Sequence, residues 1–370
     1  MKYYLIAGEA SGDMHGANLM RALKDKDADA EFRFWGGDKM QQAGGVLVKH
    51  YRDTAYMGFI EVFKNLKSIL SNLTFCKKDL LHYDPDYIIF IDYPGFNIRV
   101  AKWARKKRIR AKLVYYISPQ VWAWKPGRAN DLRDILDQMY VILPFEPAFY
   151  AKYGFEVTYV GHPLFDHLQK LEYPQTLQQK YDLPDLPVIA ILPGSRQQEI
   201  KKLLEIMIAM VPLFQDYQFV IAAVSTVPET AYQRARDRER VSIISDDTNL
   251  VLHSSEAALV ASGTATLEAA LMHVPQVVCY RGGSLNYQIA KRLIDVKYIS
   301  LVNLIIDEPL VVELIQNQLT KESLHKALTE ILTESGRKRL ISGYAGLADK
   351  LGGPGASQRV ASGIVQMLPG

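Results

Sequence analysis

Cysteine is almost absent. Cys76 and Cys279 are the only two in 370 residues, and their separation builds neither a disulfide framework nor a metal-ligand motif. That usage suits a reducing cytoplasm. No apolar run approaches the roughly 20 residues that span a bilayer, so a meeting with a membrane is expected at its surface. The run Tyr3–Ala7 is too short for a signal peptide, and Gly8-Glu9 follows at once. Neither sign of charge dominates: the net charge of +4 does not by itself imply nucleic acid. No internal repeat with a period of roughly 20–50 residues occurs.

What is present is an alternation of short apolar runs with helical patterns. In the first half the runs are Tyr3–Ala7, Tyr87–Ile91, Leu113–Ile117, Met139–Leu143 and Val157–Val160. In the second half they are Val188–Leu192, Phe219–Val224, Ala257–Val260 and Gln276–Tyr280. Continuous apolar strands between helices argue for parallel sheets covered on both faces. The expected α/β fold is two facing Rossmann-like, doubly wound domains, residues 1–165 and 188–350, with a linker at 166–187 and a C-terminal crossing helix at 351–370. Ligands are then expected at the carboxyl ends of the strands, in the cleft between domains.

The unusual motifs all follow expected strands. Ser262-Gly263-Thr264 ends one apolar run and opens a helix carrying Glu268 a turn later. Free N–H groups and the helix dipole favour an anion there, and Glu268 shares a face with Thr264. An ordinary βα turn, with Glu268 offsetting the dipole, is the competing reading. Leu192-Pro193-Gly194-Ser195-Arg196 ends another run. Arg196 offers a planar fork suited to phosphate, or pairs with Glu199 on the surface. Gly8-Glu9-Ala10-Ser11-Gly12-Asp13-Met14-His15-Gly16 follows the first strand. Its spacing matches neither a dinucleotide fingerprint nor a phosphate-binding P-loop. It is expected to bring Glu9, Asp13 and His15 to the cleft mouth, with His15 alternatively a helix-start hydrogen bonder. Asp92 ends a very apolar strand, where partial burial raises a carboxyl pKa and suits a general base; a turn or cap role before Pro94-Gly95 competes.

Half of the four tryptophans, Trp122 and Trp124, sit in one loop after a strand, suited to sugar C–H groups, acyl chains or core packing. Phe59, Phe63, Leu66 and Ile69 lie on an amphipathic stripe that serves either core or membrane. Residues 102–112 hold seven cations, Lys106 and Arg108 among them. These suit an anionic lipid surface, a nucleic acid or a solvated helix end. Asp-x-Asp matches at Asp25–Asp29 and Asp84-Pro85-Asp86 do not follow a strand, so no metal site is expected.

Together these segments resemble the lipid-A-disaccharide synthase family, inverting glycosyltransferases of GT-B fold. The matching motifs are Gly8–Gly16, Gly58–Val62, Ile91–Asn97, Tyr116–Trp124, Gly161–Leu164, Leu192–Arg196, Ser262–Glu268 and Ile299–Asn303. They run in family order up to about residue 320. Val302 and Val312 stand where the family commonly has Pro.

The resemblance implies transfer of a sugar from UDP-2,3-diacylglucosamine to 2,3-diacylglucosamine 1-phosphate. The products are a β-1,6-linked lipid A disaccharide 1-phosphate and UDP. It implies no metal or other cofactor and peripheral attachment at the cytoplasmic face of the inner membrane. Asp92 is the candidate base, with Asp13, Glu9 and His15 as rivals. Arg196, Ser262, Gly263, Thr264 and Glu268 are candidates for the UDP-sugar, Glu268 on ribose, and Asn303 and Gln316 fall in family positions near the donor. Phe59, Phe63, Leu66, Ile69, Trp122, Trp124, Lys106 and Arg108 are candidates for acceptor and membrane. Nucleic acid is not an expected partner; a homodimer exchanging the terminal helix stays open. A UDP-sugar epimerase of the same fold and a non-catalytic sugar-lipid binder are the competing functions.

Overall fold

The computed structural model describes residues 1–53, 66–123, 125–169, 171–282 and 297–367. The chain divides into two compact units, one of residues 1–170 with 351–370, the other of residues 171–350.

The first unit is built on a parallel sheet of β1 (Lys2–Ala7), β2 (Glu31–Gly36), β3 (Val46–His50), β4 (Tyr87–Ile91), β5 (Lys112–Tyr116), β6 (Gln138–Val141) and β7 (Thr158–Tyr159). The spatial order is β3-β2-β1-β4-β5-β6-β7. Alternate residues of one strand feed opposite cores, as the two-residue period of a strand requires. Tyr4, Ile6, Ile88, Phe90 and Tyr115 pack on one face; Tyr3, Leu5, Tyr87, Ile89 and Tyr116 pack on the other. Burial on both faces is why these strands read as unbroken apolar runs.

The helices of this unit are α1 (Ala10–Lys24), α2 (Asp38–Ala43), α3 (Leu66–Tyr83), α4 (Pro94–Lys106), α5 (Arg128–Ile135), α6 (Glu146–Ala151) and α7 (Leu164–Leu168). The C-terminal helix, Ala356–Gln366, belongs here too and contributes Val360, Ala361 and Ile364 to the same core as Tyr3 and Leu5. Its start is capped from a distance. The Asp166 carboxylate accepts from the N–H groups of Gly355 at 2.5 Å and Ser357 at 3.1 Å, which answers two of the donors a helix start leaves open. Asp166, expected within the linker, therefore has a fixed task in the first unit.

The second unit repeats the plan. Its parallel strands are β8 (Val188–Leu192), β9 (Gln218–Ala223), β10 (Val241–Ser245), β11 (Ser255–Ala261), β12 (Gln276–Tyr280) and β13 (Val312–Ile315), in the order β10-β9-β8-β11-β12-β13. Its helices are α8 (Leu177–Tyr181), α9 (Gln197–Ile208), α10 (Thr248–His253), α11 (Ala265–Leu271), α12 (Leu301–Ile306), α13 (Lys321–Leu332) and α14 (Glu334–Lys350).

Each sheet thus reverses its winding once, between β1 and β4 and between β8 and β11. Such a reversal leaves a crevice outside the carboxyl ends of the two central strands, where open α/β sheets take their ligands. Strands β2, β3, β10 and β13 are absent from the apolar runs. Arg33, Lys49 and Glu313 interrupt three of them, and β10 is half-buried along most of its length. Strands covered less completely keep polar residues.

Candidate active site

In the first unit, the loops after β1 and β4 meet at the reversal. Gly8 has no room for a side chain, since a Cβ there would lie 2.3 Å from the Tyr93 ring. Asp92 and Tyr93 both adopt left-handed backbone, φ 44° and 49°, which costs a non-glycine residue on the order of 1 kcal/mol or more. Partly buried hydrogen bonds hold that conformation. The Asp92 carbonyl accepts from Tyr115 Oη at 2.5 Å and Asn97 Nδ2 at 2.8 Å. Asn97 also reaches the carbonyls of Ile6 and Ile91, each at 3.3 Å, tying the ends of β1 and β4 together. The turn leaves the Asp92 side chain half-buried. Burial first, and then the neighbouring Glu9 carboxylate, push its pKa up to about 6, against a hydrogen bond from the Tyr93 N–H. A carboxyl that titrates there accepts a proton near neutrality.

Two rivals for that role have other surroundings. Asp13 was expected at the cleft mouth, but it is 3% exposed. Its carboxylate accepts from the N–H groups of Gly37 at 2.7 Å, Lys39 at 3.0 Å and Met40 at 3.0 Å. It caps α2 across space, and its position on the inner face of α1 is the reason. His15 sits one turn from the helix start, with Nδ1 buried and unpartnered among the described residues. Burial, helped by His162 and His167, pushes its pKa down to about 3, so it is neutral at ordinary pH. Glu9 stands at the N-cap of α1 with extended backbone and stays half-buried beside Asp92.

In the second unit, the loops after β8 and β11 carry the corresponding groups. Gly194 turns the first loop at φ 112°, a conformation that favours glycine. Arg196 follows as the N-cap of α9 and pairs with Glu199 at 3.2 Å, 61% exposed. The surface pair named as the alternative for Arg196 is therefore present, and it is weak enough at that exposure to yield to a bound anion. After β11, the Ser262 hydroxyl donates to the Ile299 carbonyl at 2.9 Å. Gly263 has open space where a Cβ would stand, and Gly263 and Thr264 are exposed. Glu268 is half-buried. Burial raises its pKa, and its carboxylate makes no hydrogen bond among the described residues.

Gln316 lies at the end of β13 in left-handed backbone, φ 53°. Its Nε2 is buried without a partner among the described residues, and a Cβ at Gly282 would stand 3.2 Å from it. A buried amide donor left open is rare and asks for a ligand or an ordered water. Asn303 is different: at 1% exposure, it donates to Val311 O and Glu313 Oε1 and accepts from Val311 N, each at 2.9 Å. Every arm of its amide is committed to the protein. Glu313, which sequence reasoning missed, also accepts from the N–H groups of Ile299 at 3.0 Å and Ser300 at 2.9 Å. Asn303 and Glu313 together fix the segment that Ser262 touches.

The sequence matches the lipid-A-disaccharide synthetase family over residues 3–345. The chain belongs to that family. It is 37% identical over 366 residues to the lipid-A-disaccharide synthase of Syntrophus aciditrophicus (strain SB), covering 96% of this chain and 95% of that protein. Among solved structures it is similar to the UDP-GlcNAc 2-epimerase from Neisseria meningitidis bound to UDP-GlcNAc, with a TM-score of 0.70 at 13% identity. That match covers 99% of this chain and 100% of that one. It is also similar to CalG4, the calicheamicin glycosyltransferase, with a TM-score of 0.60 at 16% identity over 100% and 99% of the two chains. The structural likenesses establish the GT-B fold. Membership in the lipid-A-disaccharide synthetase family makes the protein a glycosyltransferase of lipid A biosynthesis.

Phe59, Phe63 and Trp124 lie outside the described residues, and Leu66 lies in α3. Ile69, a candidate for acceptor and membrane on a stripe that also suited the core, packs against the core. Leu70 and Leu81 are exposed on one flank of α3, and Phe75, also exposed, lies on another against Trp35. Trp122 is half-buried and meets Phe145 edge-on, ring centroids 5.0 Å apart. Of the cations in residues 102–112, Lys102 pairs with Asp131 and Arg105 with Asp137. Lys106 and Arg108 are exposed and have no acidic partner among the described residues. No helix among those residues is long and apolar enough to cross a membrane.

Proposed function

We propose that the protein transfers 2,3-diacylglucosamine from its UDP derivative to the 6-hydroxyl of 2,3-diacylglucosamine 1-phosphate, forming a β-1,6 bond and releasing UDP. Asp92 carries the reading. It ends a central strand at the sheet reversal, its backbone is held in a strained turn, and its carboxyl titrates near 6. In an inverting displacement the acceptor hydroxyl loses its proton as it attacks the anomeric carbon, and Asp92 takes that proton.

The second unit takes the donor. The Ser262–Thr264 turn and Arg196 hold the diphosphate, whose departing charge needs donors already in place. Glu268 accepts hydrogen bonds from ribose hydroxyls, supported by its lack of a hydrogen-bond partner among the described residues. Gln316 donates its open amide to the UDP moiety. Asn303 acts through the backbone it fixes rather than by touching the donor. The first unit meets the lipid surface at the cytoplasmic face of the inner membrane, with Leu70 and Leu81 supplying apolar contact and Lys106 and Arg108 the charge.

The decisive experiment measures UDP release from UDP-2,3-diacylglucosamine with and without the acyl-sugar 1-phosphate. Release that requires the acceptor, with formation of a disaccharide, supports the proposal. Release or epimer formation that ignores the acceptor overturns it.

A further inference from the structure

Glu146 is a buried carboxylate outside the chemistry described so far. It is 1% exposed, yet both oxygens are used. Oε1 accepts from Ser118 Oγ, and Oε2 accepts from the N–H groups of Ile142 at 3.1 Å and Leu143 at 2.8 Å. The Trp122 indole lies beside the same carboxylate and favours its charged form, although its Nε1 has no hydrogen-bond partner among the described residues. Two neighbours act on the same loop. Phe145 meets Trp122 edge-on, and Tyr150 Oη donates to the Pro119 carbonyl at 3.3 Å.

The loop so held runs from the carboxyl end of β5. It opens at Ile117 with φ 66°, a conformation that a β-branched residue rarely adopts. A loop entered through such a residue keeps its shape only if its surroundings enforce it. Ser118 and Trp122 are the enforced points, and Glu146 touches both. Burying a charged group for packing alone is unfavourable; here burial pushes the Glu146 carboxyl up to about 7. The arrangement holds a strained loop at the ligand end of the sheet.

We infer that Glu146 is a positioning residue that fixes the Ser118–Trp122 loop as a wall of the acceptor site, an inference that rests on the function proposed above. It touches neither substrate nor reacting atoms. Its effect reaches the acceptor through the place of the Trp122 ring and the Pro119–Gln120 backbone.

The test uses the full-length protein labelled with 5-fluorotryptophan. Its four tryptophans give four fluorine resonances, and the line lost in Trp122→Phe is that of Trp122. In Glu146→Gln and in Ser118→Ala the Trp122 line shifts or broadens while the other lines stay in place. The acceptor KM rises about tenfold in each variant, the scale of one lost hydrogen bond to a charged group. The donor KM and kcat stay within about twofold. A purely structural role would lower the folded fraction without separating the two KM values. Should Glu146→Gln lose the dispersion of all its lines, Ser118→Ala, which removes one oxygen, decides by the same criteria. An unmoved Trp122 line, or a donor KM that rises while the acceptor KM does not, overturns the inference. The absence of acceptor-dependent turnover in the unaltered protein overturns the proposed function instead, and is read before any variant is made.

Discussion

Replacing Asp92 by Asn separates the base from every rival in one pH series. The Asp92 carboxyl titrates near 6 rather than at its ordinary 3.8. A base must be ionised to accept a proton, so kcat/KM is expected to rise with pH through about 6 and to level off above about 7. At pH 5 about one-tenth of the carboxyl is ionised, so the rate falls about tenfold below the plateau. Glu9→Gln removes the like charge that raises this pKa, so the limb moves to lower pH. Asp92→Asn removes the base, lowers kcat by about 10²–10⁴-fold and flattens the limb.

Stability runs the other way. Because the folded-state pKa is raised, the ionised carboxylate opposes folding. That opposition is absent below about 3.8, grows as pH rises to about 6 and is constant above. Asp92→Asn should therefore stabilise the fold above pH 7 by on the order of 1–3 kcal/mol, allowing for the exposed part of the side chain. It should leave stability almost unchanged near pH 3.5. Stopped assays over pH 4.5–9 and urea titrations at both extremes measure these effects. A limb that persists in Asp92→Asn and ignores Glu9→Gln would refute the assignment. His15 cannot produce a limb near 6, because its own titration lies near 3.

Three further outcomes follow from the partners of other groups. Asp13→Ala leaves the N–H groups of Gly37, Lys39 and Met40 without their acceptor and should lower unfolding free energy by about 3 kcal/mol or more; a loss below about 1 kcal/mol by urea titration would show that water replaces it freely. Glu268→Ala should raise the donor KM or the UDP dissociation constant by about ten- to a hundredfold with the acceptor KM unchanged, and equal UDP affinity by calorimetry would remove Glu268 from the donor site. Neutralising Lys106 and Arg108 together should weaken binding to anionic vesicles by about 2 kcal/mol, at about 1 kcal/mol per cation; unchanged co-sedimentation would remove both from the membrane face.

The strands buried on both faces were legible because nothing polar interrupts them. Strands β2 and β13 were not, because Arg33 pairs with Asp79 at 2.5 Å and Glu313 supports a neighbouring segment. Both are ordinary polar residues until the chain closes. The loops of the candidate site were legible for a related reason, since small residues after an apolar run mark the carboxyl end of a strand. Which side chain in such a loop meets the ligand was not. Glu9 and Asp13 lie four residues apart on one helix start, yet one flanks the reversal and the other caps α2, a contact 24 residues away from Asp13 at its nearest.

Hydrogen-bond accounting separates the carboxylates that the fold commits from those it leaves open. Backbone N–H groups are obligatory donors, and a carboxylate that accepts several of them is fixed to the fold. Asp13, Asp166, Glu146 and Glu313 each accept two or more. Moving any of them onto a substrate would strand those donors at about 1–3 kcal/mol each. Among the described residues, the Asp92 carboxylate meets only the Tyr93 N–H beside it, and Glu268 meets none. A substrate can engage these two without undoing structure. The same accounting commits the Asn303 amide to Val311 and Glu313, so the function proposed above gives it an indirect role. It also explains why Gln316, with its amide left open, is the stronger candidate for direct contact.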